Sequence, residues 1–309
     1  LVVLLEAASL LEGRRLLGTN WVTTAQLAQG SAPIIVVLAI VVGGVGGVAW
    51  RRHWTMVETM VPRSSAYPMI PALASALVMS ATHLVWVGAV LVLSRSPGSP
   101  SWTLVVAALV SCLAIVAGSL AGGAVGTTLN TWLTPPVAGL VAYAFLVWAN
   151  SGWPSYLLSV GGVGEPLIGV RIRPEVLFSQ LGWFLAVGLG SAWFVWFVLR
   201  RGRTRLLAVC GFLLPLAFLP VVGSLGGERY ELDDPAWACS GEDPRFCVLD
   251  QDAPRFAALE PRYREAVRRL DDHGATGSDQ VYWQRLSISP PDHHREFSLP
   301  ERSRTSDRE

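Results

Sequence analysis

Lysine is missing from this chain. All 24 basic residues among its 309 are arginine, so a G-x-x-x-x-G-K-[ST] loop, whose phosphate chemistry rests on a lysine, is excluded. ATP is not bound in that way, and any ATP-driven work needs a partner. The H-E-x-x-H and G-x-S-x-G patterns are absent too. Asp292-His293-His294 lacks a spaced third ligand and reads as a chance cluster. With neither paired acids nor a ligand set, the expectation is no catalytic residue, no metal, no cofactor and no enzyme. No basic cluster carries interleaved aromatics, which argues against nucleic acid as a partner. The arginine-only usage reads instead as the coding bias of a high-GC bacterium.

Charge of either sign is scarce. Only 15% of the residues are charged, against about a quarter in a soluble domain. What fills the chain is apolar: 51% hydrophobic residues and a mean hydropathy of +0.43. These residues come in blocks of membrane-spanning length, which a soluble core does not need. The expected fold class is an all-α, multi-pass membrane helix bundle of six to seven spans, in contact with membrane lipid. The spans are expected at about residues 1–11, 32–50, 69–94, 102–125, 135–149, 176–199 and 206–222. Because the chain enters at once on Leu1-Val2-Val3-Leu4-Leu5, the first span reads as truncated, with N-terminal residues missing. No A-x-A-like site supports a cleaved signal peptide. Residues 12–31 read as a polar loop.

The small net charge of +1 hides an asymmetry. Through residue 223 there are 12 arginines against 5 acids, and beyond it 12 against 18. This divides the chain into a bundle (1–227), a small C-terminal segment (228–289) and a charged, Pro- and Ser-rich end (290–309) expected to be disordered. Lys/Arg-rich short loops stay cytoplasmic. Placing residues 51–63 and 200–205 inside puts seven arginines in inside short loops and five in outside ones. The chain is then a multi-pass protein of the cell membrane with an extracytoplasmic tail. Trp50, Trp54, Trp102, Trp132, Trp148 and Trp153 fall near the expected span ends, where amphipathic rings prefer the interface.

Of four cysteines, Cys112 and Cys210 sit in apolar runs and read as buried small hydrophobes. Cys239 and Cys247 flank a Gly- and Pro-containing loop in the tail, where a disulfide is sterically open and would persist only outside the cytoplasm. Free thiols are the alternative, and a zinc site lacks its C-x-x-C. Further on, Phe256, Leu259, Tyr263, Val267 and Leu270 recur at helical spacing, predicting one amphipathic helix over residues 254–272. Its apolar face needs a cover, for which the cysteine loop is at hand. Residues 281–288 predict one short strand.

Inside the spans polar residues are few. His83 stands out, as a functional candidate or as a neutral imidazole bonded to a neighbouring helix; Gln180 and Asn130 are weaker cases. A proton- or ion-coupled carrier needs carboxylates at mid-membrane, and spans two to seven contain none. Gly43 and Gly47, and Gly118, Gly122 and Gly126, form small-xxx-small stripes that serve a dimer, a mobile interface or plain packing within one chain. Pro215 and Pro220 are expected to bend the last span.

One polar island interrupts the apolar runs early: Arg51-Arg52-His53-Trp54-Thr55-Met56-Val57-Glu58, closed by Pro62-Arg63-Ser64. From Thr55 to Val61 it has the spacing of a small helix lying along a membrane surface. A solvated connector is the plainer reading. With its Thr-x-x-Glu (Thr55, Glu58) and Pro62–Ser64, the island resembles the cytoplasmic coupling helix of type-2 ABC exporter permeases, R-R-x-G-T-x-E-L-L-x-x-x-P-x-S, with Trp54 in place of the usual Gly and Met in place of the usual Leu. The Gly-rich fourth span is similar to that family's small-residue stretch, and the cysteine-bearing tail resembles uncharacterised actinobacterial relatives. This resemblance, loose over about residues 1–225, implies a permease-like subunit that forms a homodimer or pairs with a second permease. It also implies a separate ABC-type ATPase docking on Arg51, Arg52, Thr55, Glu58 and Arg63. The other reading is a membrane-anchored extracytoplasmic sensor or binding protein acting through residues 228–289.

Overall fold

The computed structural model describes residues 1–12, 21–57, 69–94, 102–150, 170–199, 230–232, 237–241, 244–273, 281–284 and 296–297. The expected seventh span at 206–222 with its prolines, the basic turn at 200–205, Cys210, and most of the loop between the fifth and sixth spans lie outside them. The helices are α1 (Val2–Glu12), α2 (Trp21–Ala28), α3 (Ala32–Val57), α4 (Ile70–Ser94), α5 (Trp102–Leu129), α6 (Thr134–Asn150) and α7 (Pro174–Leu199). Among the described residues, four stretches are long and apolar enough to cross a membrane: Trp21–His53, which takes in α2 and most of α3, then Ile70–Ser94, Trp102–Leu129 and Pro174–Trp196. At 1.5 Å per residue α4 is about 37 Å long, more than the ~30 Å of a hydrocarbon core. The expected fifth span is the apolar helix α6, of 17 residues.

α5 is the centre of the bundle, packing against α3, α4, α6 and α7. Its contact with α3 is close because glycine faces glycine. A Cβ on Gly122 would run into the carbonyl of Ile40, one on Gly126 into that of Gly44, and one on Gly43 into that of Ser119. Gly47 lies likewise on Gly123 and Thr127, and Gly118 on Val36. Each of the two stripes expected from the sequence thus packs on the other helix within one chain, where small residues let helix backbones approach. Away from these seams Val78, Val85, Val92, Leu140 and Leu189 are exposed, an apolar surface suited to lipid rather than water.

Local signals explain the ends of these helices. Asn130 takes a left-handed φ of 50° after α5, the C-terminal role that Asn shares with Gly. Its N–H donates to Gly126 O (3.0 Å), and Pro135 and Pro136 then open α6 where no N–H is needed. Asn130, a weak candidate in the sequence, is a turn residue.

One expectation is corrected near the N-terminus: the polar stretch 12–31 contains the buried helix α2, whose Thr23, Thr24, Gln26 and Leu27 are all hidden. Helix α3 runs unbroken through the first part of the arginine island to Val57, and the rest of the small surface helix expected over residues 55–61 lies outside the described residues. Helix α3 is parted from α2 at residues 29–31. Pro33 lacks the N–H that an unbroken helix would give to Gln29 O, and its ring would crowd that carbonyl. Shorter bonds replace the ladder there: Gly30 N–H to Leu27 O (3.0 Å) and Ala32 N–H to Gln29 O (2.9 Å).

The tail holds a two-layer unit. Strands β3 (Trp237–Ser240), β4 (Arg245–Leu249), β5 (Val281–Gln284) and β6 (Glu296–Phe297) lie in that order, β3 and β4 antiparallel and the others parallel. Helix α8 (Ala253–Asp272) packs on them through Phe256, Tyr263 and Val267, with Phe246, Val248 and Tyr282 opposite. Phe246 and Tyr282 stack at 5.3 Å. Leu270, expected on the apolar face, is half exposed. Strand β6 lies in the stretch expected to be disordered; the rest of residues 290–309 is outside the described residues. A separate ribbon, β1 (Val170–Ile172) with β2 (Tyr230–Leu232), ties the chain before α7 to the start of the tail, helped by an Arg171–Glu231 ion pair.

Candidate functional site

The break between α2 and α3 falls between two apolar layers. On one side Ala28 packs with Val87, Val90 and Ala108; on the other Ile35 and Ala39 pack with Met79 and Ile115. Between them the side chains are polar. Glu6 comes in from α1, Gln29 and Ser31 from the break itself, His83 from α4 and Ser111 from α5, each at most 1% exposed. His83 lies about 20 Å from one end of α4 and about 17 Å from the other, at its middle.

His83 Nδ1 and Glu6 Oε1 are 2.5 Å apart, and the Ser31 hydroxyl donates to Glu6 Oε2. The Ser111 hydroxyl donates to Gln29 Oε1 at 3.2 Å and to Ala107 O at 3.1 Å. Two nitrogens, His83 Nε2 and Gln29 Nε2, are buried with no hydrogen-bond partner among the described residues. A buried ion costs several kcal/mol unless it is paired and hydrogen-bonded. Glu6 meets that condition with both of its oxygens occupied. Further along α2, Gln26 accepts from Tyr230 at 3.5 Å, which brings the start of the tail onto the same helix.

His83 was legible in the sequence as an ionisable group in an apolar helix; its carboxylate partner was not. Spans two to seven hold no acid, and Glu6 lies in the first. Its signal was there all the same, a lone acid in the apolar run Leu1–Leu11. Gln180 is buried on α7.

The docking candidates end up in two groups. Arg51 and Arg52 are exposed at the end of α3, with His53 beside them. The Arg52 guanidinium lies 4.9 Å over the ring of Trp132 in the α5–α6 turn. Thr55 is within α3, while Glu58 and Arg63 lie outside the described residues. Trp102 and Trp132 are half exposed at helix ends. In the tail Cys239 and Cys247 are bonded across β3 and β4. Cys112 is a half-buried free cysteine whose thiol donates to Ser80 O at 3.8 Å. The pair His293-His294 is outside the described residues.

No family model, no curated protein and no solved structure matches this chain.

Proposed function

We infer that the chain is a permease-like membrane subunit of an ATP-driven exporter, working with a separate ABC-type ATPase. The observation that carries this reading is the helix parted at residues 29–31 with Glu6, Gln29, Ser31, His83 and Ser111 around the break. Irregular backbone at membrane depth is tolerated only where protein or a cavity satisfies it, and discontinuous helices form the substrate sites of many secondary transporters. The resemblance of residues 51–64 to a coupling helix adds the ATPase, which would dock on the arginine end of α3 and on Glu58 and Arg63 beyond it. A homodimer, or a pair with a second permease, completes such a pathway.

In this reading the arginine end is cytoplasmic and the tail extracytoplasmic, with a seventh span at residues 206–222 between α7 and the tail. Three contacts support that arrangement. The β1–β2 ribbon and the Tyr230–Gln26 bond gather the start of α7, α2 and the start of the tail at one end of the bundle, and the Arg52–Trp132 contact lies at the other. The disulfide suits an oxidising side.

The test is co-purification of the full chain from its native membrane in mild detergent. Recovery of a nucleotide-binding ATPase in near-equal amount, lost on Glu58→Arg, supports the permease. Recovery alone or with a kinase moves the function to the tail. The disulfide-stapled unit of β3–β6 and α8 favours that second reading, a membrane-anchored extracytoplasmic sensor or binding protein.

A further inference from the structure

We propose that Glu6 and His83 form a proton-binding site at mid-membrane, with its exchangeable proton on His83 Nε2. This rests on the reading of the helices as a transport bundle and holds with or without an ATPase. The 2.5 Å between Nδ1 and Oε1 is a separation that requires a hydrogen between the two atoms. The carboxyl's other oxygen is taken by the Ser31 hydroxyl. With the bridging proton alone, the pair carries one negative charge.

The open position for a second proton is Nε2, buried and without a partner among the described residues. A proton from water adds to the lone pair of that nitrogen, no bond breaks, and the pair becomes neutral; release is the reverse. In a low-dielectric interior the neutral form avoids the cost of a buried net charge. Proton occupancy therefore sets the charge where α1, the break and α4 meet.

Among the described residues, the surrounding elements bring no second control. Helix α2 presents Thr23, Thr24 and Gln26, which do not ionise, and Gln26 is met by Tyr230. Helix α3 has no charged side chain before Arg51, at its far end. Helix α5 brings Cys112, its thiol held to Ser80 O. On α1 the other acid, Glu12, is the last helical residue, about 1.7 turns from Glu6. An ionisable pair facing the bundle interior and bonded to each other is the form that intramembrane proton carriers take.

The experiment uses the full chain in lipid nanodiscs, labelled with 15N-histidine. Five imidazoles are present, and that of His83 is assigned by its loss in His83→Gln. In the wild type, Nε2 is expected to pass between protonated and unprotonated across the pH range in which the chain stays folded. In Glu6→Gln the midpoint should be displaced by about one unit or more, and in Ser31→Ala by less. Where Glu6→Gln does not fold, Glu6→Asp keeps the carboxylate one methylene further away and must displace the midpoint as well. An Nε2 that holds one protonation state across the range overturns the proposal, as does a midpoint common to wild type and Glu6 variants. Neither ATPase nor substrate enters the measurement, so failure of the proton site and failure of the exporter reading are separate results.

Discussion

Gly122 of α5 lies on the backbone of Ile40 of α3 so closely that a Cβ would occupy the position of the Ile40 carbonyl. The neighbour is backbone and cannot rotate away, so any side chain here pushes the central helix off its partner. Gly122→Ala is expected to cost about 1–3 kcal/mol, the range of overpacked cores. Gly88, on α4, has nothing within 4 Å of its Cβ position, and Gly88→Ala should gain up to about 1 kcal/mol from helix propensity. Thermal unfolding in detergent compares them; equal effects would mean that the α3–α5 seam is not a tight contact.

The apolar blocks made the helical fold legible in the sequence, and the glycine stripes marked the helices that pack closest. Pro33 is visible there too, yet polarity alone makes α2 look like a solvated loop, because Thr23, Thr24, Gln26 and Gln29 are all polar. In the structure they face the bundle interior, where polar side chains bond to one another. The amphipathic helix over 253–272 was readable to within a residue because one face meets water and the 3.6 period survives. The parallel pairing of β5 with β4 and β6 was not readable, since nothing local sets a partner so far along the chain.

The Glu6–His83 contact joins two helices that are 77 residues apart in sequence. A double-mutant cycle with Glu6→Ala and His83→Ala should give a coupling of about 1–2 kcal/mol, near the top of the range for polar contacts between membrane helices. The single changes are each expected to cost more than the coupling, because each strands a buried polar partner. Additive single effects would dissolve the pair.

Reduction of the Cys239–Cys247 bond should loosen the tail and spare the bundle. The bridged residues are eight apart, and closing so short a loop is worth about 2–3 kcal/mol on chain-entropy grounds. Hydrogen exchange on the full chain, with and without reductant, should show faster exchange in β3, β4 and α8 and no change in α5. Uniform protection in both states would mean that the aromatic cluster around Phe246 holds the unit without its staple.

The orientation of the bundle predicts a labelling pattern. Arg51, at the end of α3, and Arg245, on β4, are both exposed, and the proposed topology puts them on opposite sides of the membrane. In a background of Cys112→Ala and Cys210→Ala, with the native disulfide left in place, Arg245→Cys should react with a membrane-impermeant maleimide on intact cells. Arg51→Cys should react only after permeabilisation. The reverse pattern would put the arginines outside and leave the disulfide in a reducing compartment, where such bonds are rare. Reaction at both positions on intact cells would break the link between the β1–β2 ribbon and the Arg52–Trp132 contact as markers of opposite ends.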